Sequence, residues 1–157
     1  MRTTRLAGGW LSLSLATIGT LLVHSTAFCQ VLSADGEVPG TKIEIRDLKR
    51  DEGGTVTLRF QLINNSDRSF SACSLRETGD TCEAISGVHL IDVSNKKKYL
   101  VVRDSAQKCV CATLRNLGKG EKTNLWIKFP APPDNVQKIT VVVPQFDPIE
   151  NVPITPR

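Results

Sequence analysis

Apolar and polar residues alternate with period two along much of the chain after Thr41, the signature of half-buried strands. Ile43 and Ile45 share one face, with Asp47 falling beside them, while Lys42, Glu44 and Arg46 share the other. Asp51, Glu52, Gly53 and Gly54 then make a turn, where glycine supplies positive φ. The clearest strand follows at 55–63. Val56, Leu58, Phe60 and Leu62 point inward, and Thr55, Thr57, Arg59 and Gln61 point outward. Asn64, Asn65, Ser66 and Asp67 close it with side chains that bond their own backbone.

Residues 68–86 are polar, small and cysteine-bearing, and read as a long loop with at most one short strand. Residues 87–93 alternate again, Val88, Leu90 and Asp92 against His89, Ile91 and Val93. A turn over 94–97 sends 98–103 back as the second arm of a hairpin. Its tip, with Lys96, Lys97 and Lys98, reads as a solvated run. Residues 109–114 form a short strand or bend, and 117–121 a turn. In the strand at 122–129, Leu125, Ile127 and Phe129 lie on one face and Trp126 on the other, with Asn124 and Lys128. One parity must bury, and both faces are expected to be largely covered. Pro130, Pro132 and Pro133 break this strand, and 137–143 is a last strong one.

No window carries a helical period. About seven short strands separated by Gly, Pro and Asn turns predict an all-β fold, an immunoglobulin-like antiparallel β-sandwich over 41–143. A small barrel is the alternative architecture. Residues 28–40 read as a flexible lead-in, and 144–157 as a Pro-rich tail with room for a short edge segment.

Residues 1–27 have the chemistry of a secretory signal peptide. Arg2 and Arg5 precede a charge-free stretch from Leu6 to Val23, and Ser25 and Ala27 stand in the −3/−1 arrangement that predicts cleavage after Ala27. Cleavage after Cys29 is the second choice. An uncleaved anchor would need about 20 consecutive apolar residues, and Phe28 is too bulky to precede a lipidated Cys29. The chain is therefore expected to be periplasmic or secreted, with no membrane span once the leader is gone.

Removing the leader takes Arg2 and Arg5 and no acid, so the formal charge falls from +4 to +2. That is too weak and too interspersed for nucleic acid or a polybasic membrane contact.

Five cysteines in an oxidising compartment point to disulfides. Cys73, Cys82, Cys109 and Cys111 are the candidates, with Cys29 kept or lost at cleavage. Closing the loop of about ten residues between Cys73 and Cys82 is worth about 2.7 kcal/mol in loop entropy, and the loop of about 39 residues between Cys73 and Cys111 about 3.9 kcal/mol. The difference chooses no connectivity, though Cys73–Cys82 stands slightly ahead. In a straight strand the Cβ atoms of Cys109 and Cys111 would sit roughly 6–7 Å apart, beyond the bonding range of about 3.5–4.5 Å. Either Cys109, Val110 and Cys111 form a bent, redox-capable turn, or both thiols staple the 73–82 loop to a neighbouring strand. A Cys₄ zinc site is disfavoured because exported thiols oxidise first.

No catalytic constellation stands out. His89, the one histidine outside the leader, has outward parity in a strand. Ser74 and Ser86 lack a Gly-x-Ser-x-Gly setting, and Asp51 and Glu52 sit in a turn. Asn64, Asn65 and Ser66 match a glycosylation sequon of low specificity that reads equally as a plain turn. Gly118 and Gly120 flank a lysine between two strands, which is hairpin chemistry. No enzyme, cofactor or metal site is expected.

Several segments in succession carry a resemblance. They are Thr55 to Phe60 leading into Asn64, Val88 to Val93, Lys98 to Asp104, Cys109 to Cys111, Leu117 to Glu121, Trp126 to Pro133, and Val141 to Phe146 with Val152 and Pro153. The order resembles the immunoglobulin-like domain of exported bacterial proteins of unknown function, and is similar to the wider telokin-like exported β-sandwiches. In actinobacteria such a domain can precede an OmpA-like peptidoglycan-binding domain. No such domain follows here before Arg157, so a wall-anchoring role carried by it is not expected. The resemblance implies a disulfide-stabilised, non-enzymatic accessory or binding module whose partner is an envelope protein or cell-wall component. The competing expectation is a thiol-active or metal-handling periplasmic protein using Cys109 and Cys111.

Overall fold

The computed structural model describes residues 32–156. The leader, its cleavage points, Cys29 and the first residues of the lead-in lie outside the described residues. Among the described residues eight strands are present: β1 (Ser33–Asp35), β2 (Thr41–Arg50), β3 (Thr55–Asn64), β4 (His89–Asp92), β5 (Lys97–Tyr99), β6 (Glu121–Pro130), β7 (Lys138–Val142) and β8 (Ile149–Pro153). They form two four-stranded sheets, ordered β1-β2-β3-β6 and β5-β4-β7-β8, with every neighbouring pair antiparallel. The described residues hold no α-helix, only a 3₁₀ turn at Ala72–Leu75.

Cross-strand pairs of large apolar residues build the first sheet's inner face. Val56 stands opposite Phe129, Leu58 opposite Ile127, and Phe60 opposite Leu125, all buried. Leu90 opposite Val141 does the same in the second sheet, and one continuous hydrophobic cluster joins the two sets. The parity around Trp126 is thereby decided: Leu125, Ile127 and Phe129 bury, and Trp126 stays 39% exposed on the outer face.

In β2 the alternation does not run through. The register slips between Ile45 and Asp47, so Ile45 faces Phe60, Asp47 faces Arg59 and Leu48 faces Leu58. The extra residue is Arg46, a β-bulge that puts Arg46 and Asp47 together on the outer face. Asp47 therefore does not share the face of Ile43 and Ile45, and Leu48 takes the buried position.

The segments read as lead-in and tail carry β1 and β8. Ala34, Ile149 and Val152 are buried by pairing with β2 and β7. Beyond β8, the Thr155 N–H donates to Leu48 O and the Arg50 N–H to Thr155 O, so the tail reaches from the second sheet to the first. At Gly36 a Cβ would meet Thr41 Oγ1 at 2.1 Å and Phe146 at 2.9 Å, so the approach to β2 leaves room only for glycine. The arm expected at 98–103 is cut short. Only Lys97–Tyr99 pairs with β4, after which the chain crosses to the first sheet, where the Val102 N–H donates to Lys128 O.

Candidate functional site

The long loop after β3 is held by buried polar groups. Asn64 is fully buried, and its amide donates to Arg68 O and Leu117 O at 2.8 Å and to Gly118 O at 3.1 Å. Its Oδ1 accepts from the Ser66 N–H and hydroxyl. The Asn of the sequon pattern is thus committed to the turn, with no amide hydrogen left facing solvent. Farther along, Cys73 and Cys82 lie with their sulfurs at disulfide distance and Cα atoms 4.0 Å apart. Cys73 lies in the 3₁₀ turn, and between the two cysteines Glu77, Thr78 and Gly79 are exposed while Asp80 is half-buried.

Cys109 and Cys111 form the second pair at disulfide distance. Their Cα atoms are 5.4 Å apart, closer than the roughly 6.6 Å of a straight strand, because the chain bends at Val110. The bend belongs to a small hairpin in which Arg103 faces Cys109, and Asp104 Oδ1 accepts from the N–H groups of Ala106 and Lys108. The hairpin covers the free edge of β6: the Lys128 N–H donates to Val110 O and the Ala112 N–H to Trp126 O.

Arg103 joins the two cysteine segments. Its guanidinium reaches both oxygens of Asp80 at 2.9 and 3.1 Å, Glu77 Oε2 at 2.9 Å and Gln107 O at 2.7 Å. Ser86, buried, completes the cluster by accepting from the Glu77 N–H and donating to Asp80. The hydrogen bonds from Arg103, then from Ser86, hold the Asp80 carboxyl below the ordinary carboxylate range. The same acids hold the Arg103 proton more firmly than usual. The loop is also tied down by backbone, since the Leu114 N–H donates to Glu83 O and Ala84 bridges Thr113. No cystine runs between loop and hairpin; an ion-pair cluster and a short β-bridge make that join.

Between them lies a cleft of about 340 Å³ lined by Asp80, Thr81, Glu83, Lys108, Cys109 and Cys111, with Ala84, Ala112 and Thr113 behind. Of the four cysteine candidates, Cys109 and Cys111 line this concave region and Cys73 and Cys82 do not, while Asp80, Glu83 and Lys108 bring acidic and basic side chains to it. The residues that clamp the loop beside it, Asp80, Ser86 and Arg103, are not legible as a set. Their one sequence signal is an arginine and an aspartate, Arg103 and Asp104, after the apolar Val101 and Val102.

The other candidates lie elsewhere. His89 is half-buried in β4 with Nδ1 3.1 Å from Gly87 O. Lys96 and Lys98 are exposed, while the Lys97 ammonium stands 4.9 Å over the Tyr99 ring. At Asp51, burial raises the carboxyl, but hydrogen bonds from Lys128 and Thr57 outweigh it and the net shift is downward. Among the described residues no group of three or more His, Cys, Asp or Glu side chains is placed to hold a metal ion. Nor does any helix there have the length and apolarity to cross a membrane. No family model matches the chain, and comparison with curated proteins and with solved structures gives no match.

Proposed function

We propose that the chain is an exported, non-enzymatic immunoglobulin-like β-sandwich that serves as a disulfide-stapled accessory or binding module of the bacterial envelope. The sheet order supports the fold reading. Strands β3 and β4 are consecutive but lie in different sheets, as do β6 and β7, and β3 pairs with β6 while β4 pairs with β7. Crossed pairs of this kind fit two sheets packed face to face with Greek-key connections, and so favour the immunoglobulin-like reading. The charge-poor apolar leader with its small-residue exit supports export.

The observation that carries the binding role is the cleft between the Cys73–Cys82 loop and the Arg103–Cys109 hairpin. Loops fixed on a rigid scaffold are where binding sites concentrate, and here the loop is closed by a local cysteine pair and clamped by Arg103. The occupant is an envelope protein or a cell-wall component. A photo-crosslinking residue placed at Lys108, on the rim, should give discrete adducts in cells exporting the protein. The same residue at Lys138, on the other sheet, should not. Equal labelling from both positions, or none from Lys108, would refute a binding role for the cleft.

A second reading draws on Cys109 and Cys111, which both border the cleft. In it, the thiolate of a dithiol partner attacks one sulfur of the pair and forms a mixed disulfide. The partner's second thiol resolves it, leaving two thiols on this chain and a disulfide on the partner. Graded reduction followed by alkylation separates the two readings: a redox-active pair is reduced and labelled at Cys109 and Cys111 before Cys73 and Cys82 react.

A further inference from the structure

The outer face of the first sheet, away from the cleft, carries an arrangement the binding-module reading does not use. Trp126 projects from β6 at 39% exposure, directly across from Arg59 on β3. Beside this pair runs a polar ladder across three strands: Arg46 Nη2 donates to Gln61 Oε1 at 2.8 Å, and Gln61 Nε2 donates to Asn124 Oδ1 at 2.9 Å. The β-bulge in β2 brings Arg46 into this row and Asp47 into the next, where Asp47 receives Arg59 Nη1 at 3.0 Å. Arg46, Arg59, Phe60, Asn124, Leu125 and Trp126 line a shallow cleft of about 420 Å³. Asn124 keeps its amide N–H groups, and both arginines keep further N–H donors, free of partners among the described residues.

The outward positions of β1, β2, β3 and β6 hold Lys42, Arg46, Lys49, Arg59, Lys122 and Lys128, against Asp35, Glu44, Asp47 and the turn residue Asp51. That is a surplus of two positive charges, six less four, so this face carries the whole of the +2 that the chain holds without its leader. Lys49 and Lys122 make no ion pair among the described residues.

We infer that this face binds an acidic glycan, a polysaccharide whose sugars carry carboxylates. An indole face offers a flat, electron-rich surface to the C–H side of a sugar ring. Arginine forks match carboxylates in bidentate geometry. The face offers a single exposed indole, where a nucleic-acid strand stacks successive bases on several aromatics, and Glu44 and Asp47 can accept from sugar hydroxyls. The inference rests on the chain being a binding module but not on its cysteine cleft, which involves none of these side chains.

The test is a titration of the full chain with trigalacturonate, followed by calorimetry and by tryptophan emission, alongside its methyl ester and a thymidylate oligonucleotide. The acid should bind saturably, with an affinity that falls as salt rises. Binding should weaken about tenfold or more in Trp126→Ala and for the uncharged ester. Arg59→Gln, at an exposed side chain, gives the same reading should Trp126→Ala lose its thermal transition. Absent binding, equal binding of acid and ester, wild-type affinity in both variants, or tighter binding of the oligonucleotide would each overturn the inference. Crosslinking from Lys108 would be unaffected by these results, so failure here and failure of the cleft are told apart.

Discussion

Replacing Asn64 with alanine is expected to destabilise the fold by about 3 kcal/mol, among the larger single-residue losses in a domain of this size. The side chain is fully buried and makes five hydrogen bonds, three as donor to Arg68, Leu117 and Gly118 carbonyls and two as acceptor from Ser66. Alanine leaves the Ser66 N–H without its partner and opens a space the size of an amide, while Gly118 O keeps the Glu121 N–H. Leu117 O keeps the Phe70 N–H, and Arg68 O keeps the Ser66 hydroxyl, which holds the loss below the sum of the bonds. Urea unfolding should show a lowered midpoint with an unchanged slope. Asn64→Asp should fare no better, since a carboxylate cannot donate to three carbonyls. A loss under about 1 kcal/mol for Asn64→Ala would mean the turn holds without its amide.

Arg103→Met is expected to cost about 1–2 kcal/mol at neutral pH, with solvent screening keeping it below the value for a fully buried ion pair. The variant removes all four bonds between the hairpin guanidinium and Asp80, Glu77 and Gln107. It also changes the acid limb of the stability curve. The Asp80 carboxyl is depressed in the folded chain relative to its ordinary 3.8, chiefly by Arg103. Its contribution is therefore fully present above that ordinary value and is lost as pH falls through the lower folded-state value. Without Arg103 the Asp80 part of the acid-induced loss should shrink, so the variant's stability should fall less between neutral and acidic pH than the wild type's. Asp51 and Asp92 retain their own partners and keep part of the acid limb in both proteins. Parallel curves for the two proteins would show that Asp80 draws its shift from elsewhere.

The central strands were legible because their patterns are long and unbroken. Val56, Leu58, Phe60 and Leu62 can only face one way, and their partners in β6 repeat the rhythm. Where tertiary pairing rather than local pattern makes the strand, the sequence says less. β1 has three residues and gives no signal, and β8, which carries a proline, is legible only as room for an edge segment; each exists because a neighbouring strand offers an edge. The β2 bulge is invisible for a related reason: one extra residue shifts every later parity, and only Leu48 where polarity was due betrays it. The cysteine loop is the hardest part. Four thiols within 39 residues allow three pairings of similar loop entropy. What positions the loop is Arg103 meeting Asp80 across 23 residues, a contact with no periodic signature. Trp126 sits between these cases: its alternation with Leu125 and Ile127 showed two faces, and only the buried partners in β3 show which one is open.

Export and stapling together define the proposed module, and one mass measurement bears on both. Protein recovered from the envelope should be weighed intact, before and after alkylation without reductant. The account predicts a chain beginning at Phe28 or Gln30, with Cys73, Cys82, Cys109 and Cys111 refractory to alkylation and Cys29 the only thiol that can react. A mass that keeps the leader, a lipid adduct on Cys29, or alkylation at both Cys109 and Cys111 would contradict it.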